Sequence, residues 1–331
     1  MSLTLNVPRI STHLGYFGTG ADRYNPGGYK PPTSPKERIA LAAGTKNLSG
    51  VELHYPMMFK EIGPEEMKQF LIEKNIACSI VSVSVWDDAV WGMGSLCHLD
   101  AGVRRRAVET IIDGMGVSKK LGANKINLWL GQDGFDYPFQ VNYRSAIDWL
   151  IEGLKEVASV DMGVKVCLEY KPKEPRTHLA VSTVSKVLWL VEKVGLPNIG
   201  CLLDVGHAFL AYENPAESAV LLHREGRLFH LHFNDNYGEW DWDMLPGSVR
   251  FLENIELMFW LQEIGYDDWL SIDLNMPRAD SVKACQQSVD HICRLWALAG
   301  KLSHDQIKQN FAVTEYPENL RMVMDRIFEA F

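Results

Sequence analysis

The chain has 331 residues, is 47% hydrophobic and carries a formal net charge of −9. That balance argues against nucleic acid or an anionic membrane as a partner, and no run approaches the ~18–20 uninterrupted apolar residues of a membrane span. The opening MSLTLNVPRISTHLGYFG lacks a basic flank followed by an apolar block, so no signal peptide is expected and a cytoplasmic location is.

In chain order, short apolar strand candidates are His13–Gly18, Val51–Tyr55, Cys78–Val85, Lys125–Leu130, Lys165–Tyr170, Ile199–Asp204, Leu228–Phe233 and Trp269–Leu274. Amphipathic segments lie between them. Val103, Ala107, Ile111 and Met115 step by four, and Ala146, Leu150, Leu154 and Val157 share a face. So do Val184, Val187, Leu188 and Val191, and Leu257, Trp260, Leu261 and Ile264. Gly122, Gly163, Gly195 and Gly265 fall where these segments should end. Six scattered cysteines without a CxxC pair fit buried, reduced thiols.

Strands alternating with helices imply parallel pairing, and eight is the number that closes a barrel. The expected fold is therefore α/β: a single (β/α)8 TIM barrel over residues 1–300, with a short C-terminal helical arm over 301–331. A doubly wound open sheet is the alternative, weakened because no Gly-rich phosphate fingerprint follows the first strand. Residues 19–37, rich in Gly and Pro, read as a loop. In the arm, Leu320, Met324 and Ile327 have helical spacing. It would dock on a neighbouring subunit or fold back on its own barrel.

Function in such a barrel lies at the C-terminal strand ends. The fifth strand delivers Glu169 and Lys171 there, and the sixth delivers Asp204 with His207 three residues on. The seventh delivers His232 and Asp235 with His230 deeper, and the eighth delivers Asp273. Clustered carboxylates repel one another and lose solvation, and a divalent cation is the simplest compensation. Asp241 and Asp243, two apart in the following loop, would complete a second site with Asp204 and His207. Any one carboxylate could merely cap a helix; the agreement of four strand ends is the signal.

At these residues the sequence resembles the xylose isomerase-like superfamily. LEYKPKEPRTH, LDVGHAF, RLFHLHFND followed by WDWD, NKINLWLGQDG and SIDLN are similar to that family's motifs on strands five, six, seven, four and eight. The likeness runs from about residue 78 to 295. The resemblance implies one metal on Glu169, Asp204, His232 and Asp273 and another on Asp204, His207, Asp241 and Asp243. Lys171, His54 and Asp241 would be catalytic, with Lys171, Trp86 and Trp129 lining the substrate. It also implies a cis Glu174–Pro175 bond. Asp204 and His232 stand where xylose isomerase has a glutamate and an aspartate, a set more like rhamnose isomerase. The imidazole favours Mn or Co over Mg.

The implied activity is an aldose–ketose isomerase of a free sugar, D-xylose-like or a branched pentose such as D-apiose, working by a 1,2-hydride shift. The alternative is a ketose 3-epimerase with one Mn ion and proton transfer. The expected partners are a small-molecule sugar and, as a homo-oligomer (dimer or tetramer), further copies of the chain.

Overall fold

Segments such as Ile199–Asp204 are buried along their whole length, as expected of parallel strands covered on both faces. A computed structural model describes residues 8–329. It contains β1 (Arg9–His13), β2 (Gly50–Tyr55), β3 (Ala77–Val83), β4 (Lys125–Trp129), β5 (Lys165–Glu169), β6 (Ile199–Asp204), β7 (Leu228–Phe233) and β8 (Trp269–Ile272). Each pairs in parallel with its neighbours, and β8 closes on β1 through Arg9 opposite Trp269. This is the (β/α)8 barrel that the alternation implies, and the open sheet is excluded.

The outer helices are α1 (Pro35–Ala43), α2 (Pro64–Glu73), α3 (Ala101–Leu121), α4 (Tyr143–Val160), α5 (Val184–Val194), the short α6 (Val205–Leu210), α7 (Pro215–Arg224), α8 (Phe251–Glu263) and α9 (Ser281–Ala299). Side-chain caps from Asp100, Asn142, Thr183, Asn214 and Asp280 start five of them, each contributing about 1 kcal/mol. Gly122 and Gly195 end α3 and α5 in the left-handed region, at φ 82° and 71°, where a Cβ would be strained.

Three expectations need correction. The first strand is Arg9–His13, and most of His13–Gly18 is a turn with a 3-10 segment at Gly15–Phe17. Polar Ser11 and Thr12 disguised it, yet both are fully buried. The loop expected over 19–37 ends early, because Ser34 and Glu37 form a capping box that starts α1. Among the described residues the cis bond is Tyr55–Pro56, not Glu174–Pro175.

After α9 come α10 (His304–Ala312) and α11 (Tyr316–Glu329). Phe311 stacks on Trp260 with ring centroids 6.0 Å apart, and the His304 ring lies 4.4 Å from that of Phe259. The segment thus folds back on its own α8. Along the barrel axis Ile80, Cys167, Leu202 and Phe229 form an apolar layer. At the N-terminal end of β4 the buried Lys125 ammonium is 2.8 Å from Asp268. The six cysteines are free thiols, and among the described residues no helix is long and apolar enough to cross a membrane.

Candidate metal centre

Residues two apart on a strand share a face. That parity sends Glu52 and His54 of β2, Asn127 and Trp129 of β4, and His230 and His232 of β7 toward the axis. Glu169, Asp204, His232 and Asp273 each offer one ligand atom, and the four atoms lie within 4.8 Å of one another. His232 Nδ1 is 3.4 Å from Glu169, 3.8 Å from Asp204 and 3.3 Å from Asp273. It is buried and has no partner of hydrogen-bonding geometry.

Three carboxylates around an orphaned imidazole nitrogen suit a divalent cation, which would neutralise the charges and accept the lone pair. The electrostatics carry the same message. Burial, helped by Asp241 and Glu169, pushes the Asp204 carboxyl up to about 7 against the pull of His207. Burial would raise Asp273 too, but His13 and His232 hold it well below the usual carboxylate range.

Asp204 also caps α6, its Oδ1 accepting from the His207 backbone N–H at 2.8 Å. Capping and membership of the four-residue group coexist, since Oδ2 turns the other way to accept from Asn234 at 2.9 Å.

The expected second set is arranged differently. His207 Nε2 and Lys171 Nζ both lie 3.0 Å from Asp241 Oδ2. Asp241 Oδ1 is buried without a partner. Asp243 takes a left-handed φ of 45°, and burial followed by Asp241 and Asp273 pushes its carboxyl well up. Two members of this set thus bond each other, and among the described residues the four do not form a compact group like the first. Burial opposes but Asp204 and Asp241 raise His207 to about 9.

Lys171 also pairs with Glu174. Its ammonium lies over the rings of Trp129, at 5.1 Å, and Trp240, at 5.7 Å. Trp86 meets Trp129 edge-on with centroids 4.8 Å apart. His54 Nε2 is unpartnered and 3.7 Å from Glu52, and burial lowers the pKa of its imidazole. His230 lies deeper, with Nδ1 3.3 Å from the Lys125 ammonium. Asp235 organises the loop instead, accepting from the backbone N–H groups of Val249 and Arg250.

Sequence reasoning passed over several residues. Glu52 bonds His232 Nε2 at 2.8 Å and Ser82 Oγ. Together with His230 and His232 it makes a second group whose ligand atoms lie within 4.8 Å. Asn127 donates to Glu169 at 2.5 Å, and His13 approaches Asp273 at 3.3 Å. A carboxylate in an otherwise apolar strand, two residues before His54, was the readable sign of Glu52.

A family model described as "Xylose isomerase-like TIM barrel" matches residues 39–295. A probable sugar isomerase of Mesorhizobium japonicum is 29% identical over 244 residues, 70% of this chain and 55% of that protein. The xylose isomerase of Thermus thermophilus is 26% identical over 203 residues, 60% of this chain and 51% of that one. The chain thus spans about half the length of these curated relatives. The crystal structure of a D-tagatose 3-epimerase-like protein superposes with a TM-score of 0.68 at 19% identity, covering 88% of this chain and 98% of its own, a likeness of fold.

Proposed function

This chain belongs to the xylose isomerase-like TIM barrel family, and we propose that it is an aldose–ketose isomerase of a free sugar, a D-xylose-like pentose or a branched one such as D-apiose. The observation that carries the reading is the Lys171–Asp241–His207 chain, with 3.0 Å contacts at Asp241, set beside the four-ligand group. Glu169, Asp204, His232 and Asp273 would hold one divalent ion, and Asp204, His207, Asp241 and Asp243 a second, Mn or Co in preference to Mg. Bound there, the ions supply Lewis-acid stabilisation of negative charge on adjacent sugar oxygens.

The chain's own groups do the rest. Lys171, held cationic by Asp241 and Glu174 against its burial, donates a hydrogen bond to the sugar's carbonyl oxygen. His54, neutral because it is buried, takes the anomeric hydroxyl's proton and returns it to the ring oxygen as the sugar opens. Trp86 and Trp129 form the apolar wall that keeps water from the migrating hydride. Asp241 orients both Lys171 and His207. A cytoplasmic homo-oligomer, dimer or tetramer, completes the reading.

A ketose 3-epimerase with one Mn ion is the second reading, favoured because, of the two expected ligand sets, just the first gathers to one point among the described residues. Incubation of free aldoses and ketoses with Mn, Co or Mg in D2O decides between them. The isomerase gives a ketose without solvent deuterium at carbon 1 and holds two ions per chain. The epimerase inverts carbon 3 with solvent deuterium and holds one. No conversion of any sugar in the panel defeats both readings.

A further inference from the structure

A neutral imidazole has one lone-pair nitrogen to present to a metal, and the hydrogen bond donated by its other nitrogen decides which. His232 is buried and bonded through Nε2 to Glu52 at 2.8 Å, while Nδ1 points unpartnered into the carboxylates of Glu169, Asp204 and Asp273. Glu52 comes from β2, on the other side of the barrel axis from β7, so the contact is a tertiary one. The carboxylate is 1% exposed and is itself fixed by Ser82 Oγ of β3. Its other neighbour, His54, stands 3.7 Å away without a hydrogen bond.

We infer that Glu52 is a positioning residue: its carboxylate holds the His232 Nε2–H and thereby turns Nδ1 to the cation-binding group. A second cation among Glu52, His230 and His232 is the competing use of the same atoms. The geometry disfavours it, because the Lys125 ammonium is 3.3 Å from His230 and would repel a cation. The Glu52 carboxylate then serves two ends. It makes Nδ1 the better donor, and it locks the ring plane, which nothing else at Nε2 would do. The inference rests on the metal-binding part of the proposed function but not on the sugar.

Mn(II) is titrated calorimetrically into wild type, Glu52→Gln and Glu52→Asp, and the exchange of the His232 Nε2–H proton is followed by 15N NMR with Zn(II) bound. Glu52→Gln should bind Mn(II) 10–100-fold more weakly and lose the slowly exchanging Nε2–H. Glu52→Asp should recover part of both. Should Glu52→Gln not fold, Ser82→Ala replaces it, with a smaller loss in the same direction. Wild-type affinity together with an unchanged Nε2–H signal in either variant overturns the inference, even if the wild type isomerises aldoses. Weakened affinity in a protein that converts no sugar supports Glu52's role and defeats the function instead. A wild type that takes up no Mn(II) overturns both.

Discussion

The Lys171 ammonium and the Asp241 carboxylate lie 3.0 Å apart, both only 7% exposed, although they come from the end of β5 and the loop after β7. A buried ammonium is costly unless paired, and Asp241 shares one oxygen between it and His207. Replacing Lys171 with Met keeps most of the stem and removes the charge. Isomerisation should then fall by about 10²–10³, the worth of one donor to a developing oxyanion. Metal uptake at the four-ligand group should persist. Ketose formation near the wild-type rate in Lys171→Met would remove Lys171 from the mechanism.

Gly206 follows Val205 at the start of α6, and a Cβ there would stand 1.9 Å from Asn234 Oδ1. Asn234 is fully buried and donates to Asp204, so it has little room to yield. Gly206→Ala should cost about 2 kcal/mol through overpacking. It should also weaken metal binding, because Asp204 loses a hydrogen bond. Thermal melting and metal titration measure the two effects; a variant unchanged in both would contradict the packing argument.

The alternation of apolar strands and amphipathic helices made the barrel legible, since each period reports one kind of burial. The gathering of Glu169, Asp204, His232 and Asp273 was legible because all four stand at strand ends. Asn234 was not, because it acts through Asp204 and has no spacing of its own, and Glu52 showed only as a carboxylate two residues before His54 in an otherwise apolar strand. His13 was obscured by the misplaced first strand, which it began in the expected span His13–Gly18 and ends in the observed one. The His207–Asp241 contact and the positive φ of Asp243 in the same loop are features that a two-residue spacing does not foretell.

Metal removal should expose an unusual pH trend. Without metal, burial opposes but Asp204 and Asp241 raise His207 to about 9, and Glu52 and Glu169 likewise lift His232 well above its ordinary value. The folded state therefore binds more protons than the unfolded one between about pH 6.5 and 9. Stability from these groups is fully present below the unfolded value and is lost as pH rises through the folded one. His54 and His230, whose pKa values are lowered, make their contribution below that window and do not oppose it. Chelator-treated protein should melt at lower temperature as pH rises from 6.5 to 9. Metal binding needs deprotonated ligands, so the Mn(II)-induced rise in melting temperature should grow over the same range. A metal-free melting temperature that climbs with pH there would refute this account.

The Lys125–Asp268 pair at the start of β4 allows stability to be tested apart from chemistry. Lys125 is 7% exposed and Asp268 25%, at a separation of 2.8 Å. Removing either partner breaks the same bond, but the group left behind differs. Lys125→Met leaves Asp268, which can rehydrate, and the methionine stem fills the lysine's apolar space. Asp268→Asn leaves a buried ammonium whose remaining neighbours are the Phe229 carbonyl and His230. An uncompensated buried charge is the more expensive remnant. Asp268→Asn should therefore cost about 2 kcal/mol or more, and Lys125→Met clearly less, as read by urea denaturation. His230 stands between Lys125 and the proposed ligand His232, so Asp268→Asn, which leaves the ammonium in place, should bind Mn(II) as wild type does. Equal destabilisation by the two variants would mean that the pair's worth, not the stranded lysine, sets the cost.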